Sequence, residues 1–277
     1  MRELGLALPP GPMPAWLAGR PLKRWRYVGV YTAELMLCVG DARIGPVPQR
    51  WWAVALPGGE LRERTTFGRS GVTVSGSAVR VEAAGVRIEL SLDESPGVEV
   101  VSPIGAHDDD ASHATQPYIW TRKQACVPVR GTVELDGRRH EIDGDGAFVD
   151  DSAGYHARHT AWSWSAGVGT AVDGRRIGWN LVDGIHDRVE ASERTLWVDY
   201  EPVAAGPAAF AGDLSSIALA DGGELRFDEW SRREHSTNSL LLRSRYSQPF
   251  GTFAGELPGG LQLAEGFGVM EAHDVHW

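Results

Sequence analysis

The rhythm of its apolar residues constrains this chain most: nearly every segment either alternates with period two or forms a short apolar run closed by glycine or proline. No window of helical length carries the 3.6-residue stripe of an amphipathic helix. Alternating side chains point to opposite faces of an extended strand, so the pattern calls for sheets with one face in a core. Strands are predicted over 27–39, 51–56, 72–75, 79–81, 86–92, 98–102, 118–127, 131–135, 161–172, 175–183, 195–198, 214–218, 225–227, 240–246, 251–256 and 266–273. The 34 glycines and 11 tryptophans agree with an all-β fold of two antiparallel barrels or sandwiches packed together.

Turn chemistry separates the strands. Pro57-Gly58-Gly59, Asp136-Gly137, Asp173-Gly174 and Pro258-Gly259-Gly260 tolerate the positive φ of a tight hairpin. Asp173-Gly174 joins two strands into a ribbon on which Trp162, Trp164, Ala166 and Val168 share a face. On its second strand Ile177, Trp179, Leu181 and Asp183 face away from Gly178, Asn180 and Val182. The segment 105–117, with Asp108-Asp109-Asp110 and His113, reads as a mobile acidic loop. The polar stretch Asp143 to Asp145 is the expected boundary between two β domains, 1–145 and 146–277. No short repeat period is visible, which argues against propellers and solenoids.

Charge narrows the function. The net charge is −10, and the only lysines are Lys23 and Lys123, so no basic stripe exists to displace counterions from nucleic acid. No run approaches the length of a membrane-spanning helix, and the first residues lack the pattern of a signal peptide, so a soluble, cytoplasmic protein is expected. Cys38 and Cys126 sit in apolar runs and read as buried thiols, with a single disulfide the minor alternative.

Chemistry-bearing residues concentrate between Gly146 and Gly184: Asp150, Asp151, His156, His159, Trp162, Trp164, Trp179, Asn180 and Asp183. Adjacent carboxylates beside histidines supply the groups that proton transfer needs, and indole faces suit apolar rings, polyenes and a developing carbocation. The same residues also fit plainer roles: the aspartates as turn caps, the tryptophans as core filling. His156 and His159 lie on opposite faces of a strand at their spacing, so no metal is expected there. Near the end, period two aligns Phe267, Val269, Glu271 and His273, placing a carboxylate and an imidazole after two apolar residues on a core-facing edge. Either a site or a strand emerging into solvent explains that conflict.

Several of these segments carry a resemblance. The run from Gly146 to Gly184, SRYSQPFGTFAGELPGG at 244–260, the ending GFGVMEAHDVHW, RWRYVGVYTAELMLCVGDARIG at 24–45 and TRKQACVPVRGTVELDGR at 121–138 resemble a bacterial family known as domain of unknown function 2804. A fainter similarity is to two-domain lipocalin-like proteins that include carotenoid 1,2-hydratases and related cyclase-like enzymes. These carry D-H-[NEQ]-x-G followed by W-x-W. Asp150, Gly154, Trp162 and Trp164 match; Asp151 and Ser152 depart, so only Asp150 carries over, as a proton donor. The resemblance implies two lipocalin-like barrels.

The expected function is a cofactor-independent enzyme acting on a hydrophobic isoprenoid or lipid-like molecule by acid–base hydration, isomerisation or cyclisation. Asp150 or Asp151 would donate the proton, and His159 or His273 with Glu271 would orient or accept it. Trp120, Trp162, Trp164 and Trp179 would line the cavity, His156 and Asp183 would lie beside the substrate, and Asn180 would fix a polar group. No nucleotide-binding or nucleophile-elbow motif competes. The rivals are a non-catalytic lipid carrier with the same barrel and, third, an interaction scaffold using exposed sheet edges.

Overall fold

The computed structural model describes residues 5–104, 116–188, 191–220, 222–238 and 243–277. The predicted acidic loop lies almost wholly outside these residues. After a short ribbon, β1 (Trp16–Leu17) with β2 (Arg20–Pro21), the chain forms two large antiparallel sheets, and no helix longer than an isolated turn occurs among the described residues.

The first sheet holds β3 (Lys23–Tyr31), β4 (Met36–Ile44), β5 (Val47–Ala55), β6 (Leu61–Phe67), β7 (Val72–Ser75), β8 (Ala78–Ala83), β9 (Val86–Leu92), β10 (Val98–Pro103), β11 (Tyr118–Leu135) and β12 (Arg138–Gly154). The second holds β13 (His159–Ala171), β14 (Arg176–Asp183), β15 (Thr195–Val198), β16 (Glu201–Ala204), β17 (Ala208–Phe210), β18 (Ser216–Leu219), β19 (Glu224–Asn238), β20 (Arg243–Leu257) and β21 (Leu261–His276). Their strand orders, β6-β5-β4-β3-β12-β11-β9-β8-β7 and β16-β15-β14-β13-β21-β20-β19-β18-β17, follow one scheme. In both, the first long strand pairs with the last, and the curled sheet stays open between its fourth and fifth strands. The fold is thus two lipocalin-like curled sheets: the alternation called for an all-β fold, and the lipocalin-like form is the one that the resemblance implied.

Three apolar clusters hold the molecule together. One fills the concave face of the first sheet, with Val28, Leu37, Trp52, Ile88 and Val149. A second fills the concave face of the other, with Ile177, Trp179, Leu181, Leu225 and Phe253. The third lies in the seam between the sheets, where Tyr27, Tyr31, Met36 and Phe148 meet Trp164, Val182, Trp197 and Phe250. Strands such as β3 and β13 are buried on both faces, one toward a concave core and one toward the seam.

Some strand boundaries differ from expectation. The predicted strand 27–39 is two strands, because Thr32 to Leu35 make a turn without glycine or proline: Thr32 Oγ1 accepts from the Leu35 amide at 3.2 Å and donates to its carbonyl at 2.7 Å. The predicted strands 118–127 and 131–135 are one, β11, continued through bulges around Val127 with Cys126 at φ 54°. The division expected after residue 145 falls inside β12, where Asp143 pairs with Arg130 as an ordinary exposed strand residue. The chain passes between sheets from Gly154 to His159.

Candidate functional site

Register sorts the candidate residues by face. Asp150 pairs with Tyr27 on β3 and Lys123 on β11 and points into the seam with them. Its neighbour Asp151 points the other way, into an ion-pair network with Arg26, Arg122 and Glu94 on the concave side of the first sheet. Trp120 shares that side and donates its indole N–H to Glu99 at 3.0 Å. In the second sheet Trp162, Trp164, Asn180, Glu271 and His273 face the seam, whereas Trp179, Asp183 and His159 face the concave side. His156, in the connection between the sheets, packs between Trp25 and Trp277, with neither ring nitrogen hydrogen-bonded among the described residues. The proposed ensemble is therefore divided across two faces, and the seam keeps six of its twelve members besides His156.

The seam carries a buried polar cluster that the sequence reading only partly saw. Lys123 Nζ lies 2.8 Å from Asp150 Oδ1 and 3.3 Å from Glu193 Oε1, and all three side chains are buried. The two carboxylates hold the ammonium charged and push its pKa up, outweighing burial together. Glu193 is held below the usual carboxylate range by Lys123, although burial opposes it. Asp150 goes the other way: burial outweighs the ammonium, and Glu193 and Asp151 add repulsion, so its pKa is raised.

Across the seam, Glu271 has no cation in contact among the described residues. Its carboxylate accepts from Trp162 Nε1 at 2.9 Å, from the Tyr246 hydroxyl at 2.9 Å and from Gln248 Nε2 at 3.2 Å. Burial raises its pKa, the hydrogen bonds of Tyr246 and Trp162 pull it down, and the Asp150 charge adds to the upward push. Gln248 in turn accepts from buried Arg233, which crosses to Glu63 of the first sheet at 2.8 Å. Trp164 donates to Asn180 Oδ1 at 2.8 Å and stands edge-on to Tyr27, closing the seam beside Lys123.

A groove of about 720 Å³ opens at the end of the second sheet. Its floor is a lateral row of cross-strand partners on the concave face: Asp183, Ser163, Ala272, Ser247 and Glu234. Trp162, Tyr246 and His273 border it as well, so two of the three donors to Glu271 stand at the groove; Asp150 does not border it. His273 accepts or donates at 2.8 Å to Ser244, and burial holds its pKa down to about 4.

Sequence reasoning missed Lys123, Glu193, Tyr246, Gln248 and Arg233. One signal was legible: a chain with two lysines places Lys123 inside an apolar strand, where a charge needs a buried partner.

The family model described as Domain of unknown function (DUF2804) matches residues 60–277. No curated protein matches the sequence significantly. Among solved structures, a provisionally assigned AttH from Nitrosomonas europaea superposes with TM-score 0.58 at 13% identity, over 96% of this chain and 98% of that one. Kievitone hydratase from Nectria haematococca gives 0.58 at 11%, over 90% and 88%. At such identities the likeness is one of fold, and it spans both sheets in each case.

Proposed function

Since the chain belongs to the domain of unknown function 2804 family, whose description assigns no reaction, we propose from its own residues that it performs acid–base chemistry on a hydrophobic small molecule. Hydration, isomerisation or cyclisation of an isoprenoid or lipid-like compound fits best. The observation that carries this reading is Glu271: a buried carboxyl with no cation in contact among the described residues, its pKa raised, hydrogen-bonded to two residues that border the groove. A carboxyl in that setting keeps its proton to higher pH than an ordinary carboxyl and can deliver it to an unsaturated carbon. The indole of Trp162 and the phenol of Tyr246 offer faces to the cation that protonation creates. His273, kept neutral by burial, is able to take a proton from an incoming water or from the adjacent carbon.

Asp150 is the second acid of this proposal, tied to Lys123 and one layer further from the groove. Asp151 and Trp120 have structural roles on the far side of the first sheet, and Trp179 fills the second concave core. The similarity in fold to kievitone hydratase agrees with a hydratase-type reaction. A reducing, cytoplasmic setting fits the two buried free thiols, Cys38 and Cys126.

The test begins with native mass spectrometry of the protein purified from its own host, to find a co-purified ligand. Conversion of that ligand is then compared between the wild type and Glu271→Gln, with binding followed by tryptophan fluorescence. Binding retained with conversion lost supports the reading. Conversion unchanged in Glu271→Gln removes this acid, and a wild type that binds without converting leaves a carrier.

A further inference from the structure

We propose that His159, Asp274 and His276 form a binding site for a divalent metal of the zinc type at the rim of the groove. Neither the residues of the seam nor the reaction proposed above enters this inference. His159 opens β13 and His276 ends β21, and the two are direct cross-strand partners. Their imidazoles therefore leave the same face of the sheet, stacked with centroids 4.0 Å apart and planes 11° from parallel. Asp274, two residues before His276, points to that same face, and its Oδ1 lies 2.9 Å from His159 Nε2.

One donor atom from each of the three lies within 4.8 Å of the others, and this is the one such group of three among the described residues. Two imidazoles and a carboxylate form the donor set that zinc and neighbouring first-row ions accept, with at least one coordination position left open. The site is also built in advance. At the ligand-bearing end the two strands stay in register through His159 and His276, and beyond the histidine pair the Trp277 amide donates to the Arg158 carbonyl at 2.8 Å. An ion therefore meets ligands whose backbone is already fixed.

The open position has a direction. Asp274 and its cross-strand partner Arg245 both border the groove, so a metal held here would present its vacant side toward that space. Arg245, with Arg243 opposite His276, adds positive charge beside the ion. That combination selects an anionic oxygen donor, such as a carboxylate on a ligand, over a neutral or cationic one.

Isothermal titration of untagged, chelator-stripped protein with zinc chloride tests the proposal, together with the visible spectrum of the cobalt-loaded form. One zinc per chain is expected, with the absorption of a cobalt ion in a low-coordinate nitrogen and oxygen environment. His276→Ala and Asp274→Ala should each weaken binding by about tenfold or more, since even outer-sphere partners of a metal site are worth that much. His140→Ala should leave it unchanged. All three ligands are exposed, so circular dichroism of the variants should match the wild type. No uptake by the wild type, or equal uptake by the His159→Ala/His276→Ala double variant, would overturn it.

Discussion

Trp162 donates its indole N–H to Glu271 across 2.9 Å, joining a residue read from the sequence as an apolar wall to one read as a proton carrier. The bond favours the ionised carboxylate and so tempers the effect of burial. Trp162→Phe keeps the ring and removes the donor. The Glu271 pKa should rise further, which infrared spectroscopy would detect as a protonated carboxyl persisting to higher pH than in the wild type.

Lys123 is the one ammonium between Asp150 and Glu193, so replacing it leaves two buried carboxylates facing each other. Lys123→Met should cost about 3–5 kcal/mol in urea unfolding, the usual loss when one member of a buried ion pair is removed. Asp150→Asn should cost much less, because Glu193 remains as a counter-ion. Equal losses in the two variants would contradict the arrangement.

His273 makes stability depend on pH in a defined direction. Burial lowers its pKa from 6.5 to about 4, so between those values the unfolded chain binds more protons than the folded one. Stability is therefore full above 6.5 and is lost as pH falls toward 4. Asp150 and Glu271, with raised values, work in the opposite sense, losing their contribution as pH rises above the ordinary carboxylate range. In His273→Gln the fall in Tm between pH 6.5 and 4 should shrink by several degrees, at roughly 2–4 °C per kcal/mol. Thermal melts across that range provide the measurement.

Gly167 lies under Trp179, and a Cβ there would come within 2.1 Å of the indole. That ring is fully buried and tied to Ser165 Oγ at 3.0 Å, so it has no room to yield. Gly167→Ala should destabilise by about 1–3 kcal/mol through overpacking, measured as a lower urea midpoint with an unchanged slope.

Much of the fold was legible because it rests on alternation. Trp162, Trp164 and the Asp173-Gly174 turn fall where period two and turn chemistry place them. The turn at Thr32 to Leu35 escaped because a threonine hydroxyl does there what glycine does elsewhere. The two sheets share a strand order without sharing a sequence period, so the duplication shows only in pairing. Which of Asp150 and Asp151 points inward depended on register, which one residue of slip would invert. The partners of Glu271 and His159 come from strands far apart in the chain, and sequence spacing carries no information about such encounters.

The pairing of first strand with last has a consequence for how the molecule is made. During synthesis β13 can pair with β14 and β20 with β19, but the edge between the two pairs closes only when β21, from Leu261 onward, has cleared the ribosome. Until then each presents one unpaired edge to any passing strand. A chain interrupted before Leu261 would thus yield an aggregating product rather than a slightly shortened one.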